Sequence, residues 1–233
     1  MIEVQNFSPR KALLYPSAQV YEWGTTLVVA PYPDYQLLSC GGAIALLRQM
    51  GYRVRTLFVG DGQSMINEKG ADSSVAQRQM VQQESLGAMS QVGIVEEANV
   101  YLQLRDGLFP HLGEPGFEES VRLVLNELND LEPDTVVLPT LSHDQSDLQA
   151  TWQIFREALR RFSASVKVVE YASLATQASD NDMPKPTAER KVWRLDISEV
   201  LDQKVKALQQ FQHRQATVAP FMSTIRHWET YLE

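Results

Sequence analysis

Short apolar runs alternate with longer amphipathic stretches along most of the chain. The runs are four to six residues long, are rich in valine and leucine, and are bounded by proline, glycine or polar residues. This pattern is typical of strands that are buried on both faces of a parallel sheet. The predicted strands are 27–30, 54–59, 99–102, 135–138, 166–169 and 192–197.

Between these runs, apolar residues recur at helical spacing and are followed by stop signals. Gly51 and Gly93 each follow such a stretch and are candidate helix ends, while Asp72 or Ser73 is a candidate N-cap. The predicted helices are 37–50, 73–92, 118–131, 146–161 and 201–215. Because helices and strands alternate, we expect a single Rossmann-like α/β domain of three layers, with a mostly parallel sheet.

The domain organisation follows from the same pattern. We divide the chain into an N-terminal extension, 1–24, and one α/β domain, 25–233. The polar stretch 178–187 predicts a loop, because too few residues follow it for an independent domain. The amphipathic tail 221–232 predicts packing on the core or on a neighbouring subunit, which leaves a homo-oligomer open.

Charge and composition limit the classes of molecule that the protein could bind and the compartment in which it works. The 21 Lys and Arg residues against 29 Asp and Glu residues leave a net charge of −8, which opposes nucleic acids and anionic membranes as partners. No apolar run approaches the ~20 residues of a membrane span, and the N-terminus lacks a signal-peptide core. The single cysteine, Cys40, forms no internal disulfide. We therefore expect a cytoplasmic protein, and the crevice predicted below makes a small molecule its expected partner.

Ligands of open parallel sheets bind beyond the carboxyl ends of the strands. Three predicted loops leave such ends: 31–36, 60–64 and 139–148. We expect these loops to converge on one crevice.

The stretch 28–62, VVAPYPDYQLLSCGGAIALLRQMGYRVRTLFVGDG, resembles the opening of the LmbE-like (PIG-L) de-N-acetylase family. That family has an apolar strand, a His-Pro-Asp-Asp-Glu loop, a helix with Gly-Gly, and a strand ending near Thr-Asp-Gly. The similarity continues through 104–107 (LRDG), 139–150, and 195–198 (LDIS), and it covers about residues 25–215.

The resemblance implies an LmbE-like fold and zinc-dependent removal of acyl groups from amino sugars or similar amides. In the family, zinc is held by the first His and second Asp of the first motif and by the last His of a second motif, His-Pro-Asp-His. Such a set leaves one position for a water molecule, whose pKa zinc lowers to about 7.

Carried over residue by residue, the zinc positions are degenerate in this chain. The first-motif ligands correspond to Tyr32 and Tyr35, and the last ligand corresponds to Leu148. Asp34 keeps the position of the general base. The Glu of the first motif corresponds to Gln36, and the first His of the second motif corresponds to Gln145. We therefore expect no zinc or other cofactor unless a non-standard site exists.

The remaining polar residues allow two interpretations. Asp34 is a catalytic base or a turn residue that binds backbone amides. Asp147 is a second catalytic group or a carboxylate favoured at a helix start. His143 and Asp144 could complete a shifted metal site with Asp34 and Asp147, or they are solvated loop residues.

Further residues line the expected crevice without a defined chemical role. Tyr32 and Tyr35 either stack on a sugar ring or fill the former metal cavity. Cys40 is expected to be a small buried residue rather than a reactive thiol. The other expected crevice residues are Gln36, Asp61, Asp106 and Gln145.

Two functional hypotheses follow. In the first, the protein kept the crevice of the family, lost its zinc, and serves in binding or assembly. In the second, it hydrolyses an N-acylated sugar or similar amide through a rebuilt site at Asp34, with His143 or Asp147.

Overall fold

In the computed structural model, which describes residues 12–62, 75–141, 145–172, 191–211, 222 and 225–233, the strands form one sheet. Three of them, Thr26–Ala30, Val54–Gly60 and Thr135–Pro139, are buried along nearly their whole length, as their apolar sequences predict. The strands are β1 (Leu13–Tyr15), β2 (Thr26–Ala30), β3 (Val54–Gly60), β4 (Asn99–Leu104), β5 (Thr135–Pro139), β6 (Lys167–Tyr171), β7 (Val192–Asp196) and β8 (Trp228–Leu232).

The strand order is β1-β7-β8-β6-β5-β2-β3-β4. Every neighbouring pair is parallel except those of β8, which runs antiparallel between β6 and β7. The sheet is therefore mostly parallel, as predicted. The end of the amphipathic tail packs on the core as a strand inside the sheet.

Helices cover both faces of the sheet. They are α1 (Tyr35–Gln49), α2 (Val75–Gln91), α3 (Phe117–Leu131), α4 (Ser146–Arg161) and α5 (Leu201–Leu208). Helices α1, α2 and α5 pack in one apolar cluster, and α3 and α4 pack in the other. This confirms the three-layer α/β domain. Within the described residues, no helix has the length and apolar character needed to cross a bilayer.

The helix and strand boundaries differ from the sequence predictions by a few residues at most positions. The larger difference is in α5, which ends at Leu208, whereas the apolar spacing predicted a helix to Gln215. The candidate caps Asp72 and Ser73 and the loop 178–187 lie outside the described residues. Strand β1 belongs to the predicted extension 1–24 and pairs with β7, and the domain boundary itself stays a prediction.

Both predicted stop glycines end their helices in the same way. Gly51 has a φ of +84°, its N–H donates to the carbonyl of Arg48, and the next N–H, of Tyr52, donates to Leu47. Gly93, with a φ of +82°, repeats this pattern at the end of α2. This is the Schellman motif, which requires a left-handed residue and so favours glycine.

The Gly41-Gly42 pair lets α1 approach the sheet closely. A Cβ atom on Gly42 would lie 2.6 Å from Cγ2 of Ile197, the residue that follows β7. A Cβ on Gly41 would meet its nearest atom, in Leu37, at 3.4 Å. Only Gly42 is therefore required by packing.

We predict that Gly42→Ala lowers the free energy of unfolding by about 1–3 kcal/mol, because the added methyl group overlaps Ile197. The matched control, Gly41→Ala, should stay within about 1 kcal/mol of the unsubstituted protein, since a helical alanine offsets the tighter contact. Urea unfolding measures both. Equal destabilisation by the two substitutions would contradict the close approach at Gly42.

Candidate functional site

The loops expected to carry chemistry meet where the strand order reverses. After β2 the chain crosses to β3 on one side, while β5 lies on the other side of β2. In open α/β sheets this switch point holds the ligand crevice. The segments that meet at this point are the loop 31–34, the loop 105–109 and the first turn of α4, and we call this region the crevice.

Asp147 ties these three segments together. Its Oδ2 accepts hydrogen bonds from the hydroxyl of Tyr32 at 2.9 Å and from the backbone N–H of Gly107 at 2.7 Å. Its Oδ1 accepts the N–H of Phe109 at 3.4 Å. The side chain is almost fully buried, with 4% exposed. Asp147 thus accepts hydrogen bonds from backbone amides of the loop after β4, which its position near a helix start did not predict.

Tyr32 is half-buried and packs against two other aromatic side chains. Its ring centroid lies 6.4 Å from that of Tyr35 and 6.3 Å from that of Phe109. Burial, and then the neighbouring Asp147 carboxylate, raise the pKa of Tyr32 far above its ordinary value. The phenol therefore stays protonated and acts as a hydrogen-bond donor.

Asp34 and Gln36 lie at the start of α1. Asp34 is the N-cap residue, is 4% exposed, and makes no capping hydrogen bond with its side chain. Gln36 is fully buried, and its Nε2 donates to the carbonyl of Pro33 at 3.4 Å. Its Oε1 has no hydrogen-bond partner among the described residues. The first turn of α1 therefore places polar groups in an enclosed position.

Asp61 and Asp106 meet beside the crevice at the end of β3. The backbone N–H of Asp106 donates to Oδ1 of Asp61 at 3.3 Å. Gly60 makes room for the side chain of Asp106 and the backbone of Pro31, because a Cβ there would lie 2.1 Å from Oδ1 of Asp106 and 2.9 Å from the carbonyl oxygen of Pro31. The two carboxylates thus stand next to the strand end that the sequence predicted.

Two further predicted residues, Gln145 and Leu148, lie at the start of α4 but differ in exposure. Gln145 is the exposed N-cap residue of α4, and Leu148 is buried, with 1% exposed. Next to them, Nε2 of His111 lies 2.8 Å from Oγ of Ser146. Sequence reasoning did not single out His111, and its place in the loop after β4, close to the LRDG stretch, was the available signal.

The structure therefore brings Tyr32, Asp147 and Tyr35 together around the crevice, with Asp34 and Gln36 in the adjoining helical turn. His143 and Asp144 lie outside the described residues, so the shifted site that would use them stays a prediction. Among the residues that the structure describes, no group of three His, Cys, Asp or Glu side chains could hold a metal ion.

The three positions that the resemblance assigns to zinc hold unsuitable groups. Zinc binds thiolate, imidazole or carboxylate ligands. Tyr32 is a protonated phenol whose hydrogen points to Asp147, Tyr35 is a second phenol, and Leu148 has no donor atom. These side chains do not fit a zinc ion.

The comparisons with known proteins agree with the observed fold. Teicoplanin deacetylase Orf2, in its zinc inhibited form, has a TM-score of 0.70 at 14% identity, covering 90% of this chain and 98% of that chain. N,N′-diacetylchitobiose deacetylase from Pyrococcus horikoshii has a TM-score of 0.67 at 17% identity, covering 100% of this chain and 87% of that chain. GalB, the 4-carboxy-2-hydroxymuconate hydratase from Pseudomonas putida KT2440, has a TM-score of 0.67 at 16% identity, covering 86% of this chain and 84% of that chain. At such identities the likeness shows the fold alone.

Sequence comparison identifies the family. No curated protein sequence matches the chain significantly. The model of the PIG-L family, described as GlcNAc-PI de-N-acetylase, matches residues 27–159. Since this match spans more than half of the 233 residues, the chain belongs to the PIG-L (LmbE-like) family.

Proposed function

We propose that this PIG-L family protein has lost the zinc ligands of the family and acts in binding or assembly rather than in hydrolysis. The hydrogen bond between Tyr32 and Asp147 carries this proposal. The phenol of Tyr32, at the first ligand position, is engaged in a hydrogen bond and is not free to bind a metal ion. It donates its proton to Asp147, whose carboxylate also accepts two backbone N–H groups. Leu148, at the last ligand position, has a hydrocarbon side chain without a donor atom.

The binding partner is proposed from the chemistry of the crevice. Aromatic rings and amide or carboxylate groups together suit a sugar-like small molecule, which binds by stacking and by hydrogen bonds. One structural neighbour is a deacetylase of diacetylchitobiose, which is a sugar. A second copy of the chain is the alternative partner. A cytoplasmic location, which suits a single buried thiol, is part of the same proposal.

Zinc content tests the loss of the ligands. We expect the purified protein, after incubation with zinc and dialysis, to retain far less than one equivalent. The variant Tyr32→His/Tyr35→Asp/Leu148→His restores the pattern of the family and should retain about one equivalent, since imidazole and carboxylate replace the phenols and the hydrocarbon. Elemental analysis by mass spectrometry measures both proteins.

Two outcomes would count against the proposal. About one equivalent of zinc in the unsubstituted protein would show that other residues hold the metal. A triple variant that is folded by circular dichroism but binds no zinc would show that the three positions do not converge.

The protonation of Tyr32 gives a pH-dependent test. Its pKa is raised in the folded state, so its contribution to stability is present below its ordinary pKa of about 10 and is lost as the pH rises through the folded-state value. We expect the unsubstituted protein and Tyr32→Phe to show the same phenolate absorbance up to about pH 11. An additional phenol that titrates near the ordinary value in the unsubstituted protein would contradict the buried hydrogen bond.

A catalytic alternative is favoured by one observation. Asp34 occupies the position that the resemblance assigns to the general base, and it is buried, with 4% exposed. In this alternative, Asp34 takes a proton from water during hydrolysis of an N-acylated sugar, and His143 or Asp147 assists. The bonds that Asp147 makes to Tyr32 and Gly107 suit a positioning role better than proton transfer.

The alternative predicts that the protein hydrolyses the acetamide group of N-acetylglucosamine or N,N′-diacetylchitobiose, so that acetate is released and a free amine stays on the sugar. It also predicts that Asp34→Asn lowers the rate by about 10²–10⁴-fold. Asp134→Asn is the matched control and should leave the rate unchanged, because this carboxylate also accepts a backbone amide, that of Thr25 at 2.8 Å, but precedes β5 at the other end of the sheet. Equal rates for Asp34→Asn and the unsubstituted protein would refute the catalytic role of Asp34.

A further inference from the structure

A cavity of about 600 Å³ lies at the end of the sheet opposite to the crevice. Its lining includes Leu13, Lys167 and Val192, with which β1, β6 and β7 begin. The crevice lies instead where β2, β4 and β5 end. The volume falls within the range of about 300–1,000 Å³ that is usual for sites of small molecules. The cavity is therefore large enough for a ligand and separate from the crevice.

Three aromatic side chains line this cavity and contact one another. The ring of Trp193, in β7, lies 5.4 Å from that of Tyr15 and 6.2 Å from that of Trp23, and both contacts are edge to face. Trp193 and Trp23 are buried, and Tyr15 is half-buried. Because the rings are already held in place, an apolar ring of a ligand can pack on them with little further loss of side-chain entropy.

Trp193 also has an unsatisfied hydrogen-bond donor. The residue is 6% exposed, and its indole N–H is buried without an acceptor among the described residues. A buried tryptophan N–H usually has a partner, since a buried donor without one costs free energy. An acceptor oxygen on a molecule bound in the cavity would supply that partner.

Charged groups of both signs line the same cavity. Lys167 and Glu233 form an ion pair with each other. Glu22, in the 3₁₀ helix Ser17–Trp23, and Lys191, which precedes β7, also line the cavity. Within the described part of the chain, neither of these two side chains has an ion-pair or hydrogen-bond partner. One carboxylate and one ammonium group can therefore bind ligand groups of the opposite sign.

We propose that this cavity is a second ligand site and that it binds an amino acid with an aromatic side chain. The ring of the ligand packs on Tyr15 and the two tryptophans, its ammonium group pairs with Glu22, and its carboxylate pairs with Lys191. A carboxylate oxygen is also an acceptor for the indole N–H of Trp193. A ligand with a single charge leaves Glu22 or Lys191 without a charged partner, and a neutral sugar leaves both without one. The site does not depend on the function proposed for the crevice.

The indole N–H signals in two-dimensional NMR spectra show where a ligand binds. The chain has four tryptophans, of which Trp23 and Trp193 line the cavity. The indole N–H of Trp152 donates at 2.7 Å to the carbonyl of Pro139, which ends β5 on the crevice side. We expect phenylalanine to shift the signals of Trp23 and Trp193 in a saturable way and to leave that of Trp152 in place. Replacement of one tryptophan at a time by phenylalanine assigns the signals.

Two analogues of phenylalanine separate the contributions of its charges. Phenethylamine keeps the ring and the ammonium group, and phenylpropionate keeps the ring and the carboxylate. Each should bind about two- to fivefold more weakly than phenylalanine, because exposed charge pairs contribute modestly. Lys191→Gln should weaken the binding of phenylalanine by a similar factor and leave that of phenethylamine unchanged. Glu22→Gln should weaken the binding of phenylalanine and leave that of phenylpropionate unchanged.

Lys206→Gln is the matched control, since Lys206 is an exposed lysine of α5 that does not line the cavity. Its affinities should equal those of the unsubstituted protein.

Three results would overturn the proposal. The first is the absence of a saturable shift of the Trp193 signal with phenylalanine up to about 10 mM. The second is a shift of the Trp152 signal as large as that of Trp193, which would mean binding at the crevice or without a defined site. The third is an equal affinity for phenylalanine in Lys191→Gln, Glu22→Gln and Lys206→Gln. Zinc content tests the proposed function separately.

Discussion

The arrangement of the crevice depends on one buried carboxylate. Asp147 begins α4 and accepts hydrogen bonds from Tyr32, in the loop after β2, and from Gly107 and Phe109, in the loop after β4. Because these segments come from different parts of the sheet, their side chains can share a crevice only if something fixes the loops to one another. A carboxylate with several donors does this well, since charge-assisted hydrogen bonds are stronger than neutral ones.

The same arrangement supports the proposed loss of the metal site. A metal site needs donor atoms that converge with free lone pairs. The groups around Asp147 instead donate hydrogen bonds to its carboxylate, so its lone pairs are already used. The aromatic ring of Tyr32 packs against those of Tyr35 and Phe109. The carboxylate that a catalytic interpretation would use for chemistry is occupied in holding the loops.

A second buried carboxylate joins the last strand to two helices. Glu229, in β8, accepts hydrogen bonds from the N–H groups of Gly42 and Ala43 in α1, next to Cys40, whose φ of −136° and ψ of 20° lie outside the helical region. It also pairs with Lys204 of α5. Three elements that are distant in sequence thus meet beside Cys40.

Local patterns predicted the parallel strands, the helices that alternate with them and the two glycine stops, because each is encoded within a few neighbouring residues. The signals for β1 and β8 were weaker. Leu13–Tyr15 has three residues, which is too short to show the alternation of apolar and polar positions typical of a strand. In β8 a buried charged residue, Glu229, stands where a strand pattern would place an apolar one. The Trp, Thr and Tyr residues of β8 were the available strand signal.

For the site, the sequence by itself determined which residues occupy the crevice loops: Tyr32, Asp34 and Tyr35 after one strand, and Asp147 and Leu148 after another. Only the tertiary structure decided that Tyr32 donates to Asp147, that Asp147 holds the loop 105–109, and that Glu229 caps α1. These contacts join residues 38 to 187 positions apart. Spacing along the chain carries no information about such pairs, because the sheet order, and not the sequence order, makes them neighbours.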